Sequence, residues 1–189
     1  MENTFYCCEC QKLQQTKIVK KAQTLNVKGR VITLTVPVRV CVNCNEEILD
    51  KELDANTLDL FYNEYRRLEN LLLPEEIKAI RQKYYLSQSS FAKFLGFGEK
   101  TITRYENGAI QDICHDNLIR LMSSVEMFSV LWEERKGCLS ERERYKIDLL
   151  LENYNKTKIK STYNASSIYY SNVPTNVYLI KQGDLSYAG

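Results

Sequence analysis

The chain of 189 residues lacks several features that mark membrane proteins, secreted proteins and enzymes. No apolar run approaches the roughly 20 residues needed to cross a bilayer. The N-terminus, MENTFYCCEC, does not place a basic stretch before an apolar one, as a secretory signal would. The chain has a single histidine and no glycine-rich phosphate loop, so it offers few candidate catalytic residues. We therefore expect a cytoplasmic protein that is not an enzyme and has no membrane partner.

Net charge is also small, at +2, and by itself gives no case for a nucleic-acid partner. The distribution of charge is more informative. Between Ile77 and Gly108 six basic residues stand against two acidic ones, a local excess of four. A locally basic segment in a nearly neutral chain indicates a polyanionic partner for that segment.

Cysteine, by contrast, is abundant, with seven residues. In the cytosol this number indicates metal binding or free thiols rather than a disulfide framework. Two C-x2-C pairs are separated by 30 residues: Cys7 with Cys10, and Cys41 with Cys44. Two such pairs complete the tetrahedral four-thiolate shell that zinc prefers, with no position left open for water. We predict a structural Zn²⁺ site at these cysteines, with iron as the alternative metal.

The remaining cysteines and the one histidine are predicted to have no ligand role. Cys8 stands between two predicted ligands at a spacing that replaces neither of them. Cys114 and Cys138 fall in the helical part of the chain, where we expect them to pack as small apolar groups. His115 lies near a predicted helix start, and a structural role is favoured there over a catalytic or metal-binding one.

The N-terminal part shows first a strand pattern and then a helix pattern. Residues 17–25 and 30–40 are rich in Val, Ile, Leu and Thr, and the segment Asn26-Val27-Lys28-Gly29 between them has turn chemistry, which predicts a β-hairpin or small antiparallel sheet. From Asp54, apolar residues recur at three- and four-residue intervals and predict one helix that Pro74 ends. The stripe consists of Leu58, Phe61, Tyr62, Tyr65, Leu68, Leu71 and Leu72.

The rest of the chain is predicted to be helical to about Asn153, with breaks at Tyr85, 96–98, 108–114 and 136–140. Ser140 with Glu143 forms a predicted capping box. Beyond Asn155 the composition shifts to Ser, Thr, Asn and Tyr. Two interpretations of this tail stay open, disorder and short strands around 177–180.

The predicted fold class is α+β: a small zinc-bound antiparallel β module with a linking helix, followed by an all-α helix-turn-helix bundle. We divide the chain into a zinc-binding β module with its linking helix (1–73), a helix-turn-helix domain (74–139) and a C-terminal helix and tail (140–189).

A helix-turn-helix is predicted between Leu86 and Gly108. Ser87 is a suitable N-cap for a first helix, and Gly96 supplies the left-handed residue that ends it. Gly98 is then predicted to open the second helix. Five residues of the two helices are predicted to face the core: Phe91, Ala92, Leu95, Ile102 and Tyr105.

This arrangement places a polar surface on the second helix, which in a helix-turn-helix enters the major groove of DNA. Arg104 suits a bidentate contact to guanine, and Lys100 suits guanine or a phosphate. Ser87 and Gln88, at the start of the first helix, suit a phosphate. The predicted DNA-binding residues are Ser87, Gln88, Lys100, Thr101, Thr103, Arg104 and Asn107.

Both halves resemble known modules. The C-x2-C pairs and the segment between them are similar to the YgiT-type zinc finger, and the segment from Pro74 to Leu121 is similar to the Xre/Cro-type helix-turn-helix. Their fusion in this order, over roughly residues 5–135, resembles the MqsA antitoxin family of bacterial type II toxin–antitoxin systems. The resemblance assigns zinc to the four cysteines named above and base reading to Lys100 and Arg104.

The resemblance also implies a biological role. It predicts a homodimer, formed through the DNA-binding half, that binds a palindromic operator and represses its own operon. Some family members also neutralise a ribonuclease toxin through the zinc half. The protein would then be bacterial or phage-encoded and associated with the nucleoid when bound to DNA.

The chain departs from the family pattern in two places. The family's namesake has an asparagine at the position of Lys100, so the operator sequence does not carry over, and the segment after Ser140 lies outside the match. Proteins of this architecture also occur without a toxin, as stand-alone Xre-type regulators. An adaptor is a further alternative, in which the zinc module binds a partner protein and the helix-turn-helix only dimerises.

Overall fold

The structure, a computed structural model, describes the backbone of residues 4–171 and the side chains of residues 4–158. It confirms the α+β class: within these residues a three-stranded antiparallel sheet precedes seven α-helices. The elements are β1 (Thr4–Cys7), β2 (Lys12–Val27), β3 (Arg30–Cys41), α1 (Lys51–Leu68), α2 (Pro74–Lys83), α3 (Gln88–Leu95), α4 (Thr101–Glu106), α5 (Ile113–Leu121), α6 (Val125–Arg135), a 3₁₀ turn (Lys136–Cys138) and α7 (Glu141–Ser171).

The predicted hairpin is present and is longer than expected. Strands β2 and β3 pair from Thr16 with Cys41 to Val27 with Arg30. The two connecting residues, Lys28 and Gly29, both have positive φ, which matches the right-handed twist of the strands they join. The sequence does not predict β1, because this strand is only four residues long and lies among the cysteines. It pairs with residues 12–15 of β2.

Helix α1 packs on the sheet, where Phe61 is buried with Val36 and Val38 in one apolar cluster. The helix ends at Leu68, so the prediction that it continues to Leu72 is wrong. Asn70 takes a positive φ of 52°, a conformation that asparagine tolerates, and stops the helix. Leu58 and Leu68, predicted on the apolar stripe, are 40% and 39% exposed.

The helical half follows the predicted breaks, and one further break was not predicted. Residues 122–124 separate α5 from α6, where the Ser124 hydroxyl caps α6 by accepting from the Met127 N–H. The capping box is confirmed, since the Ser140 N–H donates to Glu143 and the Glu143 N–H donates to Ser140. The core of this half contains Tyr84 and Phe128, whose rings stack with centroids 3.6 Å apart.

The expectation that helical structure ends at about Asn153 is wrong, because α7 continues to Ser171. Tertiary contacts override composition here: Ile147 is fully buried, and the Trp132 indole N–H donates to Asp148 over 2.9 Å. Tyr154 and Lys158, which both lie beyond Asn153, donate to Glu126 on α6. The predicted strand at 177–180 lies outside the described residues.

The two halves meet across the predicted boundary at residue 73. The Leu72 N–H donates to Asp116 on α5 over 2.8 Å, and Ile110 packs against the apolar cluster of the sheet. The division at 73 and the division at 139 stay predictions. Among the residues that the structure describes, no helix has both the length and the apolar character that a membrane span requires.

Candidate metal centre and nucleic-acid interface

The four predicted metal ligands come together at one end of the sheet. Cys7 ends β1 and Cys41 ends β3, and β2 pairs with both strands there, so that Cys7 lies opposite Lys12 and Cys41 opposite Thr16. The turns that follow β1 and β3 bring Cys10 and Cys44 back to the same point. The four sulfur atoms all lie within 4.8 Å of one another.

The spacing of the sulfurs fits one tetrahedral metal ion. Four sulfurs at about 2.3 Å from a central zinc ion are about 3.8 Å apart. The Sγ atoms of Cys7 and Cys44 are 3.5 Å apart, and those of Cys10 and Cys41 are 4.0 Å apart. This group of four thiols could therefore hold one metal ion, and four thiolate ligands form a closed shell that would hold the metal for structure rather than for chemistry.

Hydrogen bonds prepare one of these thiols for ionisation. The backbone N–H of Cys44 and, less strongly, that of Asn43 lower the pKa of Cys41 to about 7. At Cys44 the backbone N–H of Glu46 acts to lower the pKa, but desolvation and the neighbouring thiols outweigh it and raise that pKa to about 12. Four ionised thiolates this close together repel one another, and a bound metal cation would offset that repulsion.

The other three cysteines stand apart from the quartet and are all exposed: Cys8, Cys114 and Cys138. For Cys8 this agrees with the prediction of no ligand role. For Cys114 and Cys138 the prediction of apolar packing is wrong. Cys114 lies in the first turn of α5, where its backbone N–H donates to the cap residue Asp112, and Cys138 lies in the 3₁₀ turn.

His115 has a packing role. One ring nitrogen, Nδ1, is 2.7 Å from the hydroxyl oxygen of Tyr105 on α4, and the imidazole lies against Phe97 with ring centroids 4.0 Å apart. Both neighbours belong to the α3–α4 region. His115 lies in the first turn of α5, near a helix start as predicted, and its contacts help to hold α5 against α4.

The frame of the α3–α4 pair follows the predicted pattern in most details. The Ser87 hydroxyl accepts from the Ser90 N–H over 3.0 Å and caps α3, and Gly96 ends the helix with φ of 78°. The five residues predicted to face the core are all buried: Phe91, Ala92, Leu95, Ile102 and Tyr105. One detail is wrong: α4 begins at Thr101 rather than at Gly98, because residues 98–101 form a turn in which the Thr101 N–H donates to the Gly98 carbonyl.

The outer surface of α4 carries the predicted polar residues with unequal exposure. Lys100, Arg104 and Asn107 are exposed, and Ser87 is exposed at the start of α3. Thr101 and Thr103 are only half-buried rather than fully exposed. The structure therefore brings all seven predicted residues to one helix pair, with Lys100 at the N-cap of α4 and Arg104 within α4 as its exposed basic groups.

Gln88 and Thr103 are already engaged with each other. The Thr103 hydroxyl donates to the Gln88 side-chain oxygen over 3.0 Å, and the Gln88 amide nitrogen donates to Glu106 over 2.7 Å. These contacts fix the Gln88 amide between the two helices. Its orientation is therefore set by protein contacts before any ligand arrives.

Arg81 and Glu106 complete this network, and sequence reasoning missed both. Arg81 donates to both carboxylate oxygens of Glu106, over 2.6 and 2.9 Å, and to the Leu86 carbonyl over 2.7 Å. Burial acts to raise the pKa of Glu106, but the hydrogen bonds from Arg81 and Gln88 outweigh it and lower that pKa. An acidic residue within an otherwise basic segment was the available signal, because a buried carboxylate needs a partner.

The fold and the two sites define a two-part protein, in which a four-cysteine candidate metal centre precedes a helical bundle with an exposed basic helix. The family model for MqsA, the antitoxin component of a bacterial toxin–antitoxin system, matches residues 5–136, and the chain belongs to that family. The match spans the metal centre through α6 and leaves α7 outside it. None of the curated proteins compared with the chain matches it.

Proposed function

We propose that this antitoxin-family protein is a sequence-specific DNA-binding repressor that binds its own operator as a homodimer. The observation that carries the proposal is the two-sided character of α4. Ile102 and Tyr105 are buried in the core, whereas Lys100, Arg104 and Asn107 are exposed on the other side. Asp148 and Tyr154 join α7 to α6, and among the described residues the outer side of α4 is exposed at Lys100, Arg104 and Asn107.

The major groove of B-DNA admits one α-helix, and α4 is the helix that we place there. Arg104 would bind guanine through two hydrogen bonds, and Lys100 would reach a guanine or a phosphate. Thr101, Thr103 and Asn107 would line the same surface. Ser87 and Gln88, at the N-terminus of α3, would bind a phosphate and set the register of the protein on the duplex.

We also propose that the metal is zinc and that its role is structural. The thiolate set is the one that zinc prefers, and the sheet alone buries only a small apolar cluster near the site, made of Cys7, Cys41 and Ile48 with Phe5 and Cys10 packed against it. Metal binding would therefore supply folding free energy at this end of the sheet. Iron is the alternative, and the visible absorption of iron–thiolate sites would distinguish it from colourless zinc.

A toxin is the partner that we propose for the N-terminal module. Residues 17–27 of β2 pair only with β3 in the described part of the chain, so the edge of β2 that faces away from β3 is open there. An open strand edge supports strand addition by a partner protein. This edge also favours the adaptor alternative, in which the module binds a protein and α4 does not bind DNA.

The experiment is a binding titration with the duplex directly upstream of the protein's own gene, with and without the product of the neighbouring gene. A repressor should prefer this duplex over a random one of equal length, and its affinity should fall steeply with salt because bound phosphates release counterions. Saturable binding to the neighbouring product with no preference for the duplex would instead support the adaptor.

A further inference from the structure

The linking helix α1 reaches the end of α4 through one buried side chain, Arg66. Although α1 packs on the sheet, the Arg66 side chain is almost fully buried on the helical side. Its Nη2 donates to the carbonyl oxygen of Gly108 over 2.6 Å, its Nη1 to Asn63 over 3.0 Å and its Nε to Gln111 over 3.4 Å. Gly108 follows the last residue of α4 by two positions.

The hydrogen bond from Arg66 to the Gly108 carbonyl holds the turn that follows α4. Gly108 has φ of 96°, which favours glycine, and its own N–H donates to the Tyr105 carbonyl. The next residue, Ala109, donates its N–H to the backbone carbonyl of Arg104 over 2.9 Å. Arg66 is therefore connected to the backbone of the predicted base-reading residue through one short turn.

A second group of contacts holds the same junction. Gln111, which accepts from Arg66, donates to the Leu72 carbonyl over 2.5 Å and to Asp116 over 2.9 Å. Ile110 packs against the sheet cluster that contains Phe61 of α1. The segment after α4 is thus bonded to α1 on its polar side and to the sheet on its apolar side.

Burial of the charged Arg66 side chain costs more free energy than burial of an apolar side chain would. Burial lowers the pKa of its guanidinium, and the carboxylates of Asp59 and Glu75 only partly offset this. Removing a charge from water carries a large desolvation penalty, which an apolar side chain would avoid. A planar guanidinium has its N–H donors in fixed directions, so it holds the groups that accept from it in a defined orientation.

We propose that Arg66 is a positioning residue for DNA recognition: it fixes the orientation of α4 relative to α1 and, through α1, relative to the sheet. The inference rests on the proposed DNA binding. Arg66 itself would not touch DNA, since it is buried beneath the turn that follows α4. It would act through Arg104, by holding the backbone from which that side chain projects.

The test compares Arg66→Met and Arg66→Lys with the control Arg67→Met in the full chain. Arg67 is the next residue of the same helix, but it is exposed and pairs with Glu64 on α1. Fluorescence anisotropy would measure the affinity for the operator and for a random duplex at several salt concentrations. We expect Arg66→Met to lower operator affinity by about tenfold, within the range usual for coupled sites. Arg66→Lys should lie between that variant and wild type, and Arg67→Met should match wild type.

Random-duplex affinity and the salt slope should not change, because the number of phosphate contacts stays the same. This pattern separates positioning from a loss of folded protein, which would lower both affinities together. Emission from the buried Trp132 would report folding of each variant. If Arg66→Met did not fold, Asn63→Ala would carry the test, because it removes one acceptor of Arg66 from an exposed position, and we expect a smaller loss in the same direction.

Unchanged operator affinity in the folded Arg66 variant, or parallel losses on both duplexes, would overturn the inference. Failure of the wild-type protein to prefer its operator would be a different result, since it would refute the proposed function itself.

Discussion

Arg81 and Glu106 form a two-pronged ion pair that joins α2 to the last residue of α4, with nitrogen–oxygen distances of 2.6 and 2.9 Å. Both side chains are largely removed from water, at 11% and 4% exposed. The pair therefore lies under the surface that we propose for DNA, and it is the anchor of the network that orients Gln88 and Thr103.

Replacing Glu106 by glutamine should destabilise the protein by about 3 kcal/mol, because removal of one partner leaves the Arg81 guanidinium buried without its countercharge. Urea unfolding followed by Trp132 emission would measure the loss. Glu64→Gln is the matched control, since its partner Arg67 is 69% exposed and such surface pairs contribute less than about 1 kcal/mol. Equal losses in the two variants would contradict this account of the buried pair.

Replacing Arg104 by alanine should weaken operator binding by about 1–3 kcal/mol and relax the base preference at one position of each half-site. The expected cause is the loss of a bidentate contact to guanine. Titrations against operators that vary one base pair at a time would measure both effects. Arg142→Ala removes the same side chain from an exposed position on α7 and should leave binding unchanged. Wild-type affinity in Arg104→Ala would mean that α4 does not read bases as we propose.

Removing the metal should disorder the cysteine end of the sheet and leave the helical half folded. The apolar cluster around Cys7 and Cys41 is separate from the core that contains Trp132. A chelator should therefore reduce the strand signal in circular dichroism without shifting Trp132 emission. Readdition of zinc should restore the signal, which serves as the control. Loss of both signals together, or of neither, would count against a separate metal module.

Much of the fold was predictable from local patterns. The cysteine pairs, the Asn26–Gly29 turn, the Ser87 cap and Gly96 each specify a local structure through their own chemistry, and each is found where the sequence places it. The burial of Phe91, Ile102 and Tyr105 follows from helical periodicity in the same way.

Errors arose where distant residues decide the outcome. Leu72 continues the apolar period of α1 but is buried in the core of the helical half, because Asn70 turns the chain first. The pairing of Arg81 with Glu106 spans 25 positions, and neither residue alone indicates it. At the C-terminal end, α7 continues past Asn153, where Tyr154 and Lys158 both donate to Glu126 on α6, and composition does not reveal these contacts.

Those last contacts lead to a prediction about pH, because Glu126 on α6 accepts from Tyr154 and from Lys158 of α7. The hydrogen bonds from Tyr154 and then Ser124 lower the pKa of Glu126 to about 2. A carboxylate whose pKa falls on folding stabilises the folded state above its unfolded pKa, about 4.5, and loses that contribution as the pH falls towards 2. Docking of α7 should therefore weaken over that range.

Emission from Trp132 can follow this change, since its indole N–H donates to Asp148 on α7. Tyr154→Phe should remove much of the acid sensitivity, because it removes the largest cause of the shifted pKa, and it should loosen α7 already at neutral pH. Tyr145→Phe is the control, as Tyr145 lies on the same helix with 72% of its surface exposed. An acid transition of the same size in Tyr154→Phe and in wild type would show that Glu126 does not hold α7 in place, and that the buried Ile147 and the Trp132–Asp148 bond suffice to dock the helix.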